Sequence, residues 1–384
     1  DQAISINPQY ANAWHSKGVA LYALGKYDEA IEAYDRAIGI NPQYADAWNN
    51  KGIALNGLGK HDEAIKAFDQ AISINPQYAN AWHSKGVALG GLGKHDEAIK
   101  AFDQAISINP QDAKAWYNKG IALNGLGKYD EAIKAYDQAI SINPQYANAW
   151  HSKGVALYAL GKYDEAIEAY DRAIGINPQY ADAWNNKGIA LNGLGKHDEA
   201  IKAFDQAISI NPQYANAWHS KGVALYALGK YDEAIEAYDR AIGINPQYAD
   251  AWNNKGIALN GLGKHDEAIK AFDQAISINP QYANAWHSKG VALGGLGKYD
   301  EALQALDQAI SINPQYAEAW YIRGVVLGIL GKYDEAIQAF DQAISIDPKL
   351  AEAWKVKGVA LRALGRTSEA DAAFAKAEEL ENTT

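Results

Sequence analysis

The sequence predicts an all-α solenoid of 34-residue helix-turn-helix repeats, and three observations support this prediction. The eleven prolines, from Pro8 to Pro348, lie 34 residues apart. The eleven tryptophans, from Trp14 to Trp354, keep the same interval. Residues 11–78, 147–214 and 215–282 are identical copies of one 68-residue sequence. Such repetition is typical of supersecondary units that bury their apolar faces against their neighbours.

The first helix of each repeat is predicted from apolar spacing and a glycine stop. In the first repeat Trp14, Gly18 and Leu21 recur at helical spacing and fall on one face. Gly25 follows as a C-terminal stop, because glycine adopts the left-handed conformation without a steric penalty. A helix over about residues 11–24 is therefore expected.

The second helix is predicted to begin near Asp28 and Glu29, whose carboxylates lie favourably at the positive end of a helix dipole. Its buried face is predicted to carry Ala30, Tyr34, Ala37 and Ile38. Pro42 ends the helix, since proline cannot continue it and disfavours helical geometry in the residue before. Each repeat is thus a helical hairpin.

The repeat boundaries give the predicted domain organisation. Residues 1–10 are expected to be the tail of a truncated preceding repeat, and residues 11–350 to form ten complete repeats. Residues 351–384 are predicted to be a C-terminal cap, because Asp371 and Glu378 replace isoleucines of the other repeats. A polar outer face is what ends a solenoid without self-association.

Composition restricts the partners and the location. The net charge of −11 argues against a nucleic-acid surface, which needs a basic face. No apolar run reaches the roughly 18 residues of a membrane span, so no membrane partner is expected. The absence of cysteine fits a reducing compartment, and we expect a cytoplasmic location.

A family resemblance follows from the residues that recur in every repeat. The pattern consists of Trp14, Gly18, Leu21, Ala30, Tyr34 and Pro42, and it resembles the tetratricopeptide repeat, or TPR. The resemblance implies a right-handed superhelix whose concave face is lined by the first helices and binds peptides. Lys17 departs from the family pattern, where leucine is usual, and its partner cannot be named from the sequence.

Asparagines on the first helices are the leading candidates for peptide contacts. The asparagines in question are Asn50, Asn118, Asn186 and Asn254. They resemble the asparagine ladder in the repeats of protein O-GlcNAc transferases. A side-chain amide offers both a donor and an acceptor, so a regular row is able to hold a peptide backbone. The alternative is a row of solvated asparagines on an exposed helix face.

Further candidates surround this row on the same predicted concave face. The aromatic candidates are His15, His151 and His219 with Tyr22, Tyr158 and Tyr226, and the polar ones are Asn49 and Asn56. Each histidine precedes its tyrosine by seven residues, and we expect the pair to form pockets for peptide side chains. The alternative is a polar aromatic wall without a ligand.

No enzymatic activity, metal site or cofactor is expected. His15 and Ser16 are adjacent on a helix, and adjacent helical residues do not face each other. The pair also recurs in several repeats, whereas catalysis needs one preorganised set of groups. The sequence therefore favours a scaffold that binds an extended or helical peptide of another protein. A spacer or a rod that stacks end to end is the alternative.

Overall fold

The computed structural model describes residues 2–382, and Asp1, Thr383 and Thr384 of the predicted terminal segments lie outside that range. Within it the chain forms 23 α-helices and no β-strand. Two compact units are distinguished, the first ending at Leu194 and the second beginning at Gly195. The predicted all-α architecture of repeated helical hairpins is confirmed.

The helices of the first unit are α1 (Gln2–Ile6), α2 (Ala11–Ala23), α3 (Tyr27–Ile40), α4 (Ala45–Gly57), α5 (His61–Ile74), α6 (Ala79–Gly91), α7 (His95–Ile108), α8 (Ala113–Gly125), α9 (Tyr129–Ile142), α10 (Ala147–Ala159), α11 (Tyr163–Ile176) and α12 (Ala181–Gly193). Those of the second unit are α13 (His197–Ile210), α14 (Ala215–Ala227), α15 (Tyr231–Ile244), α16 (Ala249–Gly261), α17 (His265–Ile278), α18 (Ala283–Gly295), α19 (Tyr299–Ile312), α20 (Ala317–Ile329), α21 (Tyr333–Ile346), α22 (Ala351–Ala363) and α23 (Thr367–Glu381). From α2 onward, even-numbered helices are first helices of a repeat and odd-numbered helices are second helices.

The turn inside each hairpin depends on a glycine with positive φ. Gly25 has φ of 74°, a value that favours glycine. The backbone N–H of Lys26 then reaches back to the carbonyl of Leu21 at 3.0 Å. This bond satisfies a carbonyl that the end of α2 would otherwise leave unpaired. The predicted stop is confirmed.

The loop between repeats is held by its asparagine and by the tryptophan that follows. The Asn41 side chain accepts a hydrogen bond from the backbone N–H of Gln43 at 3.1 Å. Trp48 Nε1 donates to the carbonyl of Pro42 at 3.1 Å. This hydrogen bond explains why proline and tryptophan keep the same spacing. Each tryptophan stabilises the loop that leads into its own helix.

The core of a hairpin is a close approach of glycine to an aromatic ring. Ala30, Tyr34, Ala37 and Ile38 are buried as predicted. A Cβ at Gly18 would lie 2.5 Å from Cε1 of the Tyr34 ring, closer than atoms pack. Only glycine at this position lets α2 and α3 approach each other this closely.

Within each unit the two kinds of helix are spaced differently. Successive first helices contact one another, from α2 to α12 and from α14 to α22. The second helices of the described residues contact first helices only. A stack with one closely spaced layer curves toward that layer, so the first helices form the inner layer of each unit.

The last hairpin presents polar residues where other hairpins are apolar. Asp371 and Glu378 on α23 are exposed, whereas Ile337 and Ile344 at the equivalent points of α21 are buried. This contrast is compatible with a cap, and the capping role of residues 351–384 stays a prediction.

Candidate functional site

Three side chains from two consecutive repeats meet on the inner layer. The imidazole of His15 on α2 lies between Asn50 on α4 and Tyr44, the residue before α4. Asn50 Nδ2 is 2.8 Å from His15 Nε2, and the Tyr44 hydroxyl is 3.2 Å from His15 Nδ1. An amide nitrogen only donates, so Nε2 accepts and the protonated Nδ1 donates to the hydroxyl. We call this trio the histidine junction.

The histidine junction recurs in the other identical copies. It joins His151 to Asn186 and Tyr180, and His219 to Asn254 and Tyr248, at 2.9 and 3.1 Å in both cases. His83 and Asn118 are also bonded, at 2.8 Å. There Asp112 replaces the tyrosine and instead caps α8 by accepting from two backbone N–H groups.

One repeat shows the junction without its asparagine. His287 keeps the hydroxyl of Tyr316 at 3.3 Å, but Ile322 occupies the asparagine position. The Nε2 atom of His287 is buried without a hydrogen-bond partner. The asparagine is therefore what satisfies the histidine in the other repeats.

Burial keeps these histidines neutral. It lowers the pKa of His15, His83, His151, His219 and His287, because removal from water disfavours the imidazolium. A nearby carboxylate acts in the opposite direction with a smaller effect, as Asp46 does at His15. The neutral ring is the form that accepts from Asn50, so the electrostatics agree with the hydrogen bonds.

Asn49 lies in the interior and not at the surface. We expected it on the peptide-contacting face, but it is buried and 3% exposed. Its Nδ2 donates to Asn50 Oδ1 at 3.3 Å. Asn49 cannot reach a peptide directly and instead orients the neighbouring amide; Asn185 and Asn253 do the same.

The rings of each predicted histidine–tyrosine pair pack against other neighbours, and the peptide pockets stay a prediction. The ring neighbours of His15 are Tyr34 and Tyr44, with centroids 5.8 and 4.9 Å away. Tyr22 packs against Tyr27 of its own hairpin turn at 5.2 Å. Tyr158 and Tyr226 pack in the same way against Tyr163 and Tyr231.

Asn56 occupies the position of Tyr22 in the next repeat and is used within its own hairpin. Its Oδ1 lies 2.7 Å from Nδ1 of His61 in the turn, and Asn260 pairs with His265 at 2.6 Å. In the hairpins whose first helix carries tyrosine at this position, the turn also carries a tyrosine. In the hairpins of Asn56 and Asn260 the turn carries a histidine.

The structure also supplies the partner of the lysine row. Lys51 Nζ lies 2.6 Å from Asp35 Oδ1 of the preceding repeat and 5.6 Å from the centroid of the Trp48 ring. We call this arrangement the lysine junction. The sequence carried a signal for it, since an aspartate stands 16 residues before each such lysine, but only stacked repeats show that the two meet.

Across residues 2–382, no three His, Asp or Glu side chains are grouped so that they could hold a metal ion. No helix in the same range has the length and apolarity needed to cross a membrane.

Comparison with solved structures finds TPR proteins. The Cut9-Hcn1 hetero-tetramer of the APC/C gives a TM-score of 0.53 at 19% identity and covers 91% of this chain and 76% of that one, which shows the fold. YrrB, a TPR protein with an unusual peptide-binding site, gives 0.42 at 26% identity, with 50% and 98% covered. MamA gives 0.40 at 30% identity, with 43% and 96% covered.

Comparison of sequences places the repeats in a family. No curated protein gives a significant match. The family profile described as tetratricopeptide repeat matches residues 1–45, 15–79, 83–149, 151–215, 219–283, 287–351 and 330–382. These matches span nearly the whole sequence and agree with the helical hairpins. The chain belongs to the tetratricopeptide repeat family.

Proposed function

We propose that this TPR protein is a non-enzymatic scaffold that binds an extended peptide segment of another protein along its inner layer of first helices. TPR proteins are interaction scaffolds that bind protein or peptide partners. The residues that would hold the segment are Asn50, Asn118, Asn186 and Asn254, assisted by the tyrosines and histidines beside them.

The observation that supports this proposal is the orientation of the asparagine amides. A side-chain amide has two N–H groups and two acceptor positions. At Asn50, His15 uses one N–H and Asn49 uses one acceptor position. One donor and one acceptor are left, which is what one peptide unit of an extended ligand requires. Because the amide is already fixed, binding costs little additional side-chain entropy.

The same contacts support the non-enzymatic part of the proposal. Both ring nitrogens of His15 are engaged, with Asn50 and Tyr44, so the ring has no free nitrogen with which to act as a general base. The arrangement also recurs at His151 and His219. Recurrence suits a linear contact surface rather than a single reaction centre.

The test is selection of displayed random dodecapeptides on the wild-type chain, followed by affinity measurement on a variant. The variant carries Asn50→Ser, Asn118→Ser, Asn186→Ser and Asn254→Ser, since serine stands at the equivalent position in Ser16 and Ser152. We expect at least about a tenfold loss of affinity, because each lost pair of backbone contacts contributes on the order of 1 kcal/mol. Helicity should be unchanged.

A matched control removes amides from the second helices instead. Its changes are Gln70→Ala, Gln138→Ala, Gln206→Ala and Gln274→Ala, all at exposed positions. Peptide affinity should stay at the wild-type value. Equal affinity of the asparagine variant and this control would contradict the proposal.

End-to-end association is the second candidate, favoured by apolar exposure on α1 and at the end of α2. Ile6 and Leu24 are 84% and 72% exposed, and large exposed apolar side chains favour association. Light scattering over a range of concentrations should then show growing particles. A constant monomer mass at high concentration would contradict this alternative.

A further inference from the structure

Three first helices place a tyrosine against the core at one position, and the other first helices have no aromatic side chain there. Tyr22 packs on a cluster that includes Tyr34 and, from the next repeat, Ala54. Tyr158 and Tyr226 occupy the same place in their repeats. In the repeat that spans 79–112 the equivalent residue is Gly90, and a Cβ built there would meet no atom within 4 Å.

The missing ring leaves a cavity with a volume of about 230 Å³. Its lining includes Phe102 and Ala122, the counterparts of Tyr34 and Ala54 that Tyr22 covers in the first repeat. A cavity of about 150 Å³ is enough for a benzene ring in another protein. The space is therefore large enough for an aromatic side chain, and the chain's own repeats show that a tyrosine ring occupies such a place.

The mouth of the cavity is apolar. Val87 and Ile121 are 40% and 42% exposed, and both line the cavity. Ile53, which follows the repeat with Tyr22, is half-buried by comparison. Two adjacent exposed aliphatic side chains around an open space mark a place where a partner can bury apolar surface.

One residue of the cavity lining carries a polar atom without a partner. His95, in the hairpin turn, is one of its lining residues, and the Nδ1 atom of its ring is buried with no hydrogen bond. A buried polar atom without a partner carries a free-energy penalty that a ligand can remove. A phenol hydroxyl meets this need, because it can either donate or accept.

We infer that the cavity at Gly90 takes the side chain of a tyrosine carried by the bound partner segment, an inference that rests on the proposed function. The ring fills the space between Phe102 and Ala122, and the hydroxyl bonds with His95 Nδ1. Asn118, which also lines the cavity, belongs to the asparagine row, so the tyrosine would enter from the peptide held there.

A second repeat provides a natural comparison. Gly294 stands at the position of Gly90, but the next repeat brings Val326 where Ala122 stands. A Cβ at Gly294 would meet Val326 Cγ2 at 3.9 Å, and Val326 is buried against Leu306. In that repeat Val326 supplies apolar atoms at the place where the cavity lies beside Gly90. The single substitution Ala122→Val should therefore fill the cavity.

The experiment is a calorimetric titration of the full chain with the blocked pentapeptide Ala-Ala-Tyr-Ala-Ala. A dissociation constant on the order of 1 mM is expected for one buried ring. Gly90→Tyr, which copies Tyr22, and Ala122→Val, which copies Val326, should each weaken binding at least about tenfold. Gly175→Ser is the matched control, since serine is found at the equivalent exposed site of other repeats, and it should leave binding unchanged.

The hydroxyl contact has its own test. The phenylalanine pentapeptide should bind about fivefold more weakly than the tyrosine pentapeptide, as expected for one hydrogen bond. His95→Leu should remove that difference and keep ring binding. Unchanged binding by both cavity-filling variants would overturn the site, and equal binding of the two peptides to wild type would overturn the choice of tyrosine.

These results are separable from those on the asparagine row. Asn50→Ser and Asn186→Ser lie in other repeats and should not alter pentapeptide binding. If the pentapeptide fails to bind while the asparagine variant still loses its dodecapeptides, the cavity inference fails and the proposed function stands. If the pentapeptide binds and the asparagine variant keeps its affinity for the dodecapeptides, only the proposed function fails.

Discussion

The lysine junction and the histidine junction both join consecutive repeats, yet they are distributed differently. Every described pair of repeats within either unit has the lysine junction, as at Lys51 with Asp35 and at Lys255 with Asp239, and Arg323 replaces the lysine in one of them. The histidine junction alternates along the chain and loses its asparagine at Ile322. This difference shows that repeats stack without the complete histidine junction, so the inner layer can vary from repeat to repeat.

The largest expected effect comes from breaking a contact that all repeats share. Gly154→Ala should lower the free energy of unfolding by about 1–3 kcal/mol, because the new Cβ would lie 2.5 Å from the buried Tyr170 ring. Urea unfolding measures the loss, and amide exchange should locate it in α10 and α11. The control Gly175→Ala is exposed and should stabilise slightly; equal losses in both variants would contradict the packing argument.

Acid should weaken the histidine junctions. Burial holds the pKa of His15, His151 and His219 below 6.5 in the folded state, so the unfolded chain binds more protons. Stability is then complete above about pH 6.5 and falls as the pH drops through the folded pKa values. Urea midpoints between about pH 7.5 and 5.5 measure the slope.

The control for this pH dependence replaces the same three histidines with glutamine. Glutamine does not titrate, so the variant should show a smaller slope over the same range. An identical slope in wild type and variant would assign the effect to other groups.

Removing one histidine from its junction should have a moderate effect. His151→Leu leaves the amide of Asn186 without its acceptor and should cost about 1 kcal/mol. The comparison variant is His287→Leu, because His287 has no asparagine partner and already holds a buried atom without a hydrogen bond. Its cost should be smaller when both are measured by urea unfolding.

The smallest expected effect concerns the ion pair of a lysine junction. Lys187→Met keeps an apolar stem against Trp184 but loses the contact with Asp171, which is 2.6 Å long. The cost should be below about 1 kcal/mol, since the aspartate is half exposed and water screens the pair. A double-mutant cycle with Asp171→Asn measures the coupling, and a coupling above this value would contradict the comparison.

The fold followed from the sequence because its signals are local. Gly25, Pro42 and the spacing of Trp14 and Leu21 act within one hairpin, and the helices begin and end close to where these residues predict. Contacts between repeats were harder to predict. Tyr44 bonds with His15 over 29 residues, and nothing in the helical period shows that the two residues meet.

The burial of Asn49 was missed for a related reason. A helical period separates faces only coarsely, so the sequence could not show that Asn49 turns into the interior while Asn50 remains half-buried at the surface. The cavity at Gly90 needed both the stacking of repeats and a comparison among them, since a glycine in a helix does not by itself indicate an empty space.

The cavity at Gly90 also bears on how a bound chain would be aligned. A row of equivalent amides offers a threaded segment several registers of nearly equal free energy, and the segment would slip from one to the next. One site of a different shape removes that degeneracy within the first unit. A segment with a single tyrosine would have one preferred alignment, and its slippage would stop when the ring is seated.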